Sequence, residues 1–245
     1  MQALLDLDIF IFRAAAASEN EDLDIAIARM NDSIQGCLDR VGATSYRGFI
    51  SGENNYRYKI NPEYKANRKD KADPRWRQDL KAHAIREWSG EVTFDIEADD
   101  ALGINQHEGS IIVSIDKDLR QIPGLHYSFE LSGVSVLGKS WTRPEEFVTV
   151  NEFDGNRFFY SQLLIGDKAD NIIGIGGIGP VKAERALGGC ETVSEMFDIV
   201  RDMYDDDDRL MMNARCLWIC RKKEDDWLDT EQGASLLKGL VLKTA

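Results

Sequence analysis

The sequence predicts an α/β fold, in which a mostly parallel central sheet carries helices on both faces and a helical C-terminal region follows. Short apolar runs alternate with helical patterns in the first part of the chain, as they do in parallel sheets with crossover helices. After about residue 155 the strand patterns fade and helical spacing dominates. We therefore expect a core at residues 1–157 and a helical region at residues 158–245.

The predicted elements follow in chain order. Residues 3–6 form an apolar run typical of a buried strand, and the alanine-rich run after it predicts a helix. In residues 22–41 the apolar side chains recur at helical spacing. Residues 46–50 and residues 110–115 are apolar again and predict two further strands. The last of these runs ends directly before an aspartate, Asp116.

Length and composition exclude several classes of protein. A chain of 245 residues buries enough surface to fold without disulfides, and its four cysteines form no CxxC pair, so we expect free thiols. The net charge of −13 argues against a basic DNA-coating protein and against binding to anionic lipid. No run reaches the roughly 18 apolar residues of a membrane span, and the apolar start has no basic leader. We expect a cytoplasmic protein that does not enter a membrane.

One segment is basic although the chain is acidic. Residues 55–90 contain ten Lys or Arg and five acidic residues, a local charge of +5, so the remainder carries −18. Within it, Tyr64, Lys65 and Arg68 lie close together in the run INPEYKANRKDK. The two cations could bind a phosphate while the aromatic ring stacks on an unpaired base. A solvated surface helix is the alternative interpretation.

Carboxylates are concentrated where strands end and where helices begin. The carboxyl ends of parallel strands meet at one edge of a sheet, and residues two apart in an extended chain point the same way. Converging carboxylates repel one another, and hard divalent cations such as Mg²⁺ or Mn²⁺ remove that repulsion. Two such ions can promote hydrolysis of a phosphodiester. The nine candidates are Asp6, Asp8, Glu97, Asp99, Asp100, Asp116, Asp118, Asp167 and Asp170.

A glycine-rich turn follows in the run IIGIGGIGPVKAERAL at residues 172–187. Its proline suits the first position of a helix, where exposed backbone N–H groups can hold a phosphate. We therefore expect Gly177, Gly179 and Lys182 to contact a DNA backbone in the manner of a helix-hairpin-helix element. A plain connection between helices is the alternative. The chain has no GxSxG, P-loop or HExxH motif that would indicate another catalytic chemistry.

Together these motifs resemble the 5′ nuclease superfamily of flap endonucleases and 5′→3′ exonucleases. They are most similar to stand-alone bacteriophage enzymes and to the 5′-nuclease domain of bacterial DNA polymerase. The resemblance runs in order through LLDLDIFIFR, PEYKANRK, EADDALG, IIVSIDKDL and GDKADNIIGIGGIGPVKA. It implies a PIN-like catalytic core at residues 1–157 with a basic gateway segment at residues 55–90. It also implies a helix-three-turn-helix element at about residues 160–187, within the helical region of residues 158–245.

The resemblance implies a site for two Mg²⁺ ions, with Mn²⁺ as a substitute, that hydrolyses DNA near 5′ ends. It gives Lys65 and Arg68 a catalytic role at the phosphate being cut, with Tyr64 close by. DNA contacts fall on Gly177, Gly179 and Lys182, and a potassium ion is a further candidate at that turn. The implied metal ligands are Asp6, Glu97, Asp99, Asp100, Asp116, Asp118, Asp167 and Asp170.

The chain departs from the family pattern after the second strand. Many relatives carry another aspartate near the position of Ser51, and here the nearest carboxylate in the sequence is Glu53. Either Glu53 substitutes, or a water takes the role, or the first metal is held more weakly. Asp8 stands where many relatives have a hydroxyl or another small residue.

The resemblance also implies partners and a location. The expected substrates are DNA flaps, nicks and 5′ ends, with RNA–DNA hybrids as an alternative, and the expected context is replication, repair or recombination. We expect a monomer in the cytoplasm, which is the host cytoplasm for a phage-encoded protein. Two other functions stay open, a catalytically impaired DNA junction-binding protein of the same fold and a PIN-type ribonuclease. The glycine-rich turn and the PEYKANR run count against the ribonuclease.

Overall fold

The computed structural model describes residues 1–69, 72–134 and 139–244, and its centre is a six-stranded sheet. The strands of this sheet are β1 (Gln2–Asp6), β2 (Ser45–Ile50), β3 (Glu91–Val92), β4 (Ser110–Val113), β5 (Gly124–Ser128) and β8 (Glu146–Val150). They lie in the order β3-β2-β1-β4-β5-β8, and all neighbours are parallel except β5 and β8. The predicted mostly parallel sheet is confirmed.

Helices cover both faces of the sheet. The helices of the first half are α1 (Leu7–Ala17), α2 (Leu23–Val41), α3 (Arg57–Ile60), α4 (Arg77–Glu87) and α5 (Ala98–Asn105). Side chains alternate along β1, so Ala3 and Leu5 pack with α1, α2 and α4, while Leu4 packs with α5. Helix α2 matches the predicted helix closely, and it is capped at its C-terminus by Gly42, whose φ of 62° suits glycine.

The C-terminal region is helical and has its own apolar cluster. It contains the small hairpin of β9 (Gly166–Asp167) and β10 (Ile172–Ile173), whereas a second hairpin, β6 (Leu131–Val134) with β7 (Ser140–Arg143), lies between β5 and β8 in the chain. Buried Phe159, Trp218 and Trp227 lie at the centre of this cluster. Its helices are α6 (Glu152–Ile165), α7 (Pro180–Leu187), α8 (Val193–Met203), α9 (Asp207–Leu217) and α10 (Glu231–Thr244). The predicted boundary at residue 157 lies inside α6 and stays a prediction.

Two local expectations are wrong. Asp8 lies in the first turn of α1, and Asp118 lies in a 3₁₀ helix after β4, so neither continues an extended strand. Helix α1 begins early because Asp6 caps it, accepting a hydrogen bond from the Ile9 N–H at 3.4 Å. Strand β4 ends at Val113, two residues before the predicted end. The carboxylates are therefore placed by turns and helix starts as much as by strands.

No helix in the described part of the chain is long and apolar enough to cross a bilayer.

Candidate active site

Carboxylates from separate elements meet at the carboxyl edge of the sheet. Asp6 ends β1 and is 3% exposed, Asp116 follows the adjacent parallel strand β4, and Asp99 lies in the first turn of α5. Burial raises the pKa of Asp6 to about 8, and the charges of Asp8 and Asp116 add to the shift. Burial together with Asp6 and Asp116 raises the pKa of Asp99 well above its usual value. The structure therefore brings these predicted residues within electrostatic reach of one another.

A second group of carboxylates interacts electrostatically with the first group through Asp116. Burial raises the pKa of Asp118 to about 8, with Asp116 and Asp167 adding to the shift. Burial also raises the pKa of Asp170. Asp167 Oδ1 accepts hydrogen bonds from the backbone N–H groups of Ala169 and Asp170, at 2.6 and 3.2 Å, and so shapes the loop after β9.

The two cations predicted for the gateway segment, Lys65 and Arg68, form ion pairs with carboxylates of this site. The Lys65 ammonium donates to Glu97 and lies 3.8 Å from Asp170, while Arg68 Nη2 donates to Asp170 Oδ1 at 2.6 Å. Burial alone would lower the pKa of Lys65, but Glu97 and Asp170 outweigh it and raise that pKa. Lys65 and Arg68 are not one turn apart on a helix, because Lys65 has a φ of 54° and precedes a 3₁₀ turn. Residues 70 and 71 of the gateway segment lie outside the described residues.

Tyr64 does not present its ring to solvent. The side chain is 1% exposed, and its hydroxyl donates to Asp170 Oδ2 at 2.7 Å and lies 3.0 Å from Glu97 Oε2. The ring packs instead into the apolar cluster of the C-terminal region. The expectation that Tyr64 stacks on an unpaired base is therefore wrong for this arrangement, and its hydroxyl orients two carboxylates.

Asp100 is held by partners inside the protein. Arg57 Nη1 and Nη2 donate to the two carboxylate oxygens at 2.6 and 2.8 Å, and the Cys220 N–H donates to Oδ1 at 3.0 Å. Burial would raise the pKa of Asp100, but Arg57 outweighs it and lowers that pKa. Both oxygens of Asp100 are therefore engaged inside the protein before any cation binds, and its role as a metal ligand stays a prediction.

In the sequence, Arg57 is one of the ten Lys or Arg residues of the segment 55–90. Its side chain is 2% exposed, and besides Asp100 it donates to the carbonyls of Cys216 and Trp218 at 2.8 and 2.6 Å. It thus ties the start of α5 to the end of α9 and to the residue that follows this helix. Nothing in the local sequence distinguishes it from its exposed neighbours, since the partners lie more than 40 residues away.

Ser51 occupies the position where the family pattern expects an aspartate. Its hydroxyl oxygen accepts the Ala98 N–H at 3.0 Å, at the start of α5, and its own N–H donates to Asp8 Oδ2 at 2.8 Å. Lys81 Nζ donates to the Ser51 carbonyl at 2.9 Å. Glu53 is exposed, so Asp8, and not Glu53, is the carboxylate beside Ser51.

The glycine-rich turn connects β10 to α7. Gly177 has a φ of 76°, Gly179 precedes Pro180 at the helix start, and both glycines have open space around them. Lys182 is exposed, and its ammonium donates to the Gly177 carbonyl at 2.8 Å. Val181 is 79% exposed beside it. The turn is thus an exposed surface with open space beside its glycines and one cation.

The carboxylate site is not a closed metal cage. Among residues 1–69, 72–134 and 139–244, no three His, Cys, Asp or Glu side chains are close enough together to form a ready-made ion site. Mutual repulsion keeps uncompensated carboxylates apart, and Lys65 and Arg68 neutralise two of them. The donors themselves are all oxygens, which is the set that Mg²⁺ and Mn²⁺ prefer.

Comparisons with known proteins give one similar sequence. No family model matches the chain. DNA polymerase I from Bacillus caldotenax is 27% identical over 168 residues, which cover 62% of this chain and 19% of the polymerase. The chain therefore spans about a fifth of the length of that relative.

Solved structures are similar over nearly the whole chain. The D15 protein of T5, crystallised with metal ions, has a TM-score of 0.64 at 14% identity, covering 98% of this chain and 92% of its own. A complex of the bacteriophage T5 D15 flap endonuclease with DNA and metal ions has a TM-score of 0.61 at 14% identity, with the same coverage. The catalytic core of Rad2 bound to DNA has a TM-score of 0.50 at 14% identity, covering 82% and 64%.

Proposed function

Since the chain has the fold of the 5′ nucleases, we propose that it is a metal-dependent 5′ nuclease that hydrolyses DNA phosphodiesters near 5′ ends. The observation that carries the proposal is that Asp6, Asp99 and Asp116 lie at one edge of the sheet within electrostatic reach of one another, which raises the pKa values of Asp6 and Asp99. Such mutually repelling carboxylates indicate a site that works with bound cations. Exonuclease and flap endonuclease activities both fit this site.

The residues that would hold two divalent ions fall into two groups. Seven of the eight predicted ligands fall into these groups, and Asp100, which Arg57 engages, stays a further candidate. When bound, two Mg²⁺ ions would stabilise negative charge at the phosphate and lower the pKa of a water. The candidates for the first ion are Asp6, Glu97, Asp99 and Asp116, and those for the second are Asp118, Asp167 and Asp170.

Lys65 and Arg68 would orient and stabilise the phosphate being cut. Both now pair with carboxylates of the site, and a phosphate entering beside Glu97 and Asp170 would offer them a new anionic partner. Such positioned cations stabilise the charge that develops in the transition state. Hydrolysis breaks the bond between phosphorus and the 3′ oxygen, so the products carry a 5′ phosphate and a 3′ hydroxyl.

The glycine-rich turn would bind the duplex part of the substrate. Gly177 and Gly179 leave space for a phosphate to approach the backbone at the start of α7, and Lys182 adds a positive charge. A potassium ion at the carbonyls of this turn belongs to the same proposal. We propose DNA flaps, nicks and 5′ ends as substrates, with RNA–DNA hybrids as an alternative, for a monomer that acts in the cytoplasm in replication, repair or recombination.

A DNA junction-binding protein without catalysis is the second candidate, and one observation favours it. The Ser51 hydroxyl is engaged by the Ala98 N–H, so position 51 offers no carboxylate to a metal. This candidate predicts tight binding of branched DNA with no cleavage.

Cleavage of a 5′-labelled flap duplex distinguishes the two candidates. We expect cutting near the junction in Mg²⁺, none in EDTA, and a loss of at least about a hundredfold in Asp116→Asn. The matched control is Asp39→Asn, which should cut normally. Asp39 is an exposed carboxylate of α2 that accepts a hydrogen bond from Gln35. If the protein binds the junction tightly but does not cut it in Mg²⁺ or Mn²⁺, the nuclease proposal is wrong and the junction-binding protein is the function that remains.

A further inference from the structure

The segment that carries Lys65 and Arg68 rests on the loop between β9 and β10. We name this interface, residues 63–68 on residues 168–171, the gateway contact. Four hydrogen bonds across it end on backbone carbonyls: Lys65 N–H to Asp170 O (3.0 Å), Asn67 Nδ2 to Lys168 O (2.6 Å), Arg68 Nε to Ala169 O (2.9 Å) and Asn171 Nδ2 to Glu63 O (2.8 Å). Backbone acceptors fix the position of the segment more firmly than flexible side chains would.

Both sides of the gateway contact hold a residue in the left-handed region. Lys65 has a φ of 54° and Asn171 has a φ of 58°, and neither is glycine. That conformation costs free energy for residues with a Cβ, so it persists where surrounding bonds hold it. Here the Lys65 N–H and the Asn171 side chain both bond across the contact. The bend that points Lys65 towards Glu97 is therefore part of the contact itself.

The gateway contact joins two parts of the proposed site. On one side lie Lys65 and Arg68, which would meet the phosphate being cut. On the other side, residues 168–171 form the loop of the β9–β10 hairpin, and the glycine-rich turn follows directly after β10. The Ile175 N–H also bonds to the Leu164 carbonyl at 2.8 Å, which holds the turn against the end of α6. The turn and the cations are thus linked through a short, hydrogen-bonded path.

We propose that the gateway contact determines which phosphodiester is cut. This inference rests on the proposed nuclease function. The contact sets the distance from the duplex-binding turn, at Gly177 and Lys182, to the cations at the phosphate being cut. Asn67 and Asn171 are positioning residues, because each side-chain amide donates to a carbonyl across the contact and acts only through the placement of Lys65.

The test is the double variant Asn67→Ala, Asn171→Gly, assayed for product length on a flap duplex. Glycine is chosen at position 171 because it accepts the positive φ without strain. We expect the wild type to give one main product and the variant to spread its cuts over neighbouring phosphodiesters. Amide hydrogen exchange in residues 63–68 should become at least about tenfold faster, while the melting temperature and duplex affinity stay close to those of the wild type.

Gln35→Ala removes an exposed amide side chain from α2 and serves as the matched control, with one main product and unchanged exchange in residues 63–68. A single unchanged product from the double variant, with or without faster exchange, would overturn the inference. A wild type that cuts no flap would overturn the proposed nuclease function. Exchange in residues 63–68 would then still report separately whether the two amides hold the contact.

Discussion

Asp99 and Asp100 are neighbours in the chain, yet their pKa values shift in opposite directions. Asp99 is surrounded by Asp6, Asp116 and Glu97, so burial and repulsion both favour its neutral form. Asp100 accepts two hydrogen bonds from Arg57, which stabilises its charged form. The first residue is suited to receive a cation, and the second already has one.

This contrast predicts opposite phenotypes for the two residues. Asp99→Asn should reduce flap cleavage by at least about a hundredfold without loss of stability, because it removes repulsion in the metal-free protein. Asp100→Asn should lower the free energy of unfolding by about 3 kcal/mol, because the buried Arg57 keeps only the more distant Glu97, at 3.7 Å, as a counter-charge. Urea unfolding in EDTA and cleavage in Mg²⁺ measure the two effects. A stable Asp100→Asn enzyme would contradict the structural role of the pair.

The raised pKa values also predict how stability depends on pH. Asp6 and Asp118 have pKa values of about 8 in the folded protein and an ordinary value of 3.8, so the folded state binds more protons between these values. Their contribution to stability is therefore present below about pH 4 and is lost as the pH rises towards 8. Thermal unfolding in EDTA at several pH values between 5 and 8 should show a falling melting temperature. In Asp6→Asn the fall should be smaller, and an equal fall in both proteins would refute the assignment.

Among the helices and strands, the sequence predicts the elements that depend on local patterns and misses the contacts between residues far apart in the chain. The apolar runs predict β1, β2, β4 and α2, because periodicity is a local property. The partner of Asp100 lies 43 residues away, and the burial of Tyr64 depends on the apolar cluster of the C-terminal region. The pairing of Asp6 with Asp8 assumed an extended chain, whereas α1 starts immediately after Asp6. Tertiary contacts therefore decide which acids share the site.

The element formed by α6, the glycine-rich turn and α7 has its own prediction. Lys182→Ala should weaken duplex binding, because one phosphate contact is lost. The slope of log K for DNA binding against the logarithm of the salt concentration should become less steep by about 1. The rate of cutting at saturating DNA should change little. Fluorescence anisotropy at several salt concentrations measures the slope, with the exposed Lys222→Ala as control. An unchanged slope in Lys182→Ala would remove this turn from the DNA-binding surface.

For the whole molecule, the central question is how a protein of charge −13 could act on a polyanion. Two divalent ions would offset four negative charges at the sheet edge, where Asp6 and its neighbours now repel one another. The basic gateway segment and the turn would meet the phosphates on either side. Metal binding would thus serve both the stability of the fold and the approach of DNA.

Calorimetric titration with Mn²⁺ in the absence of DNA measures whether the carboxylates at the sheet edge bind divalent ions. We predict binding of two ions to the wild type, a melting temperature that rises with Mn²⁺, and loss of at least one ion in Asp99→Asn. Asp39→Asn on α2 should bind as the wild type does. A wild type that binds no divalent ion, or an Asp99→Asn variant that binds both, would contradict the account of the carboxylate site.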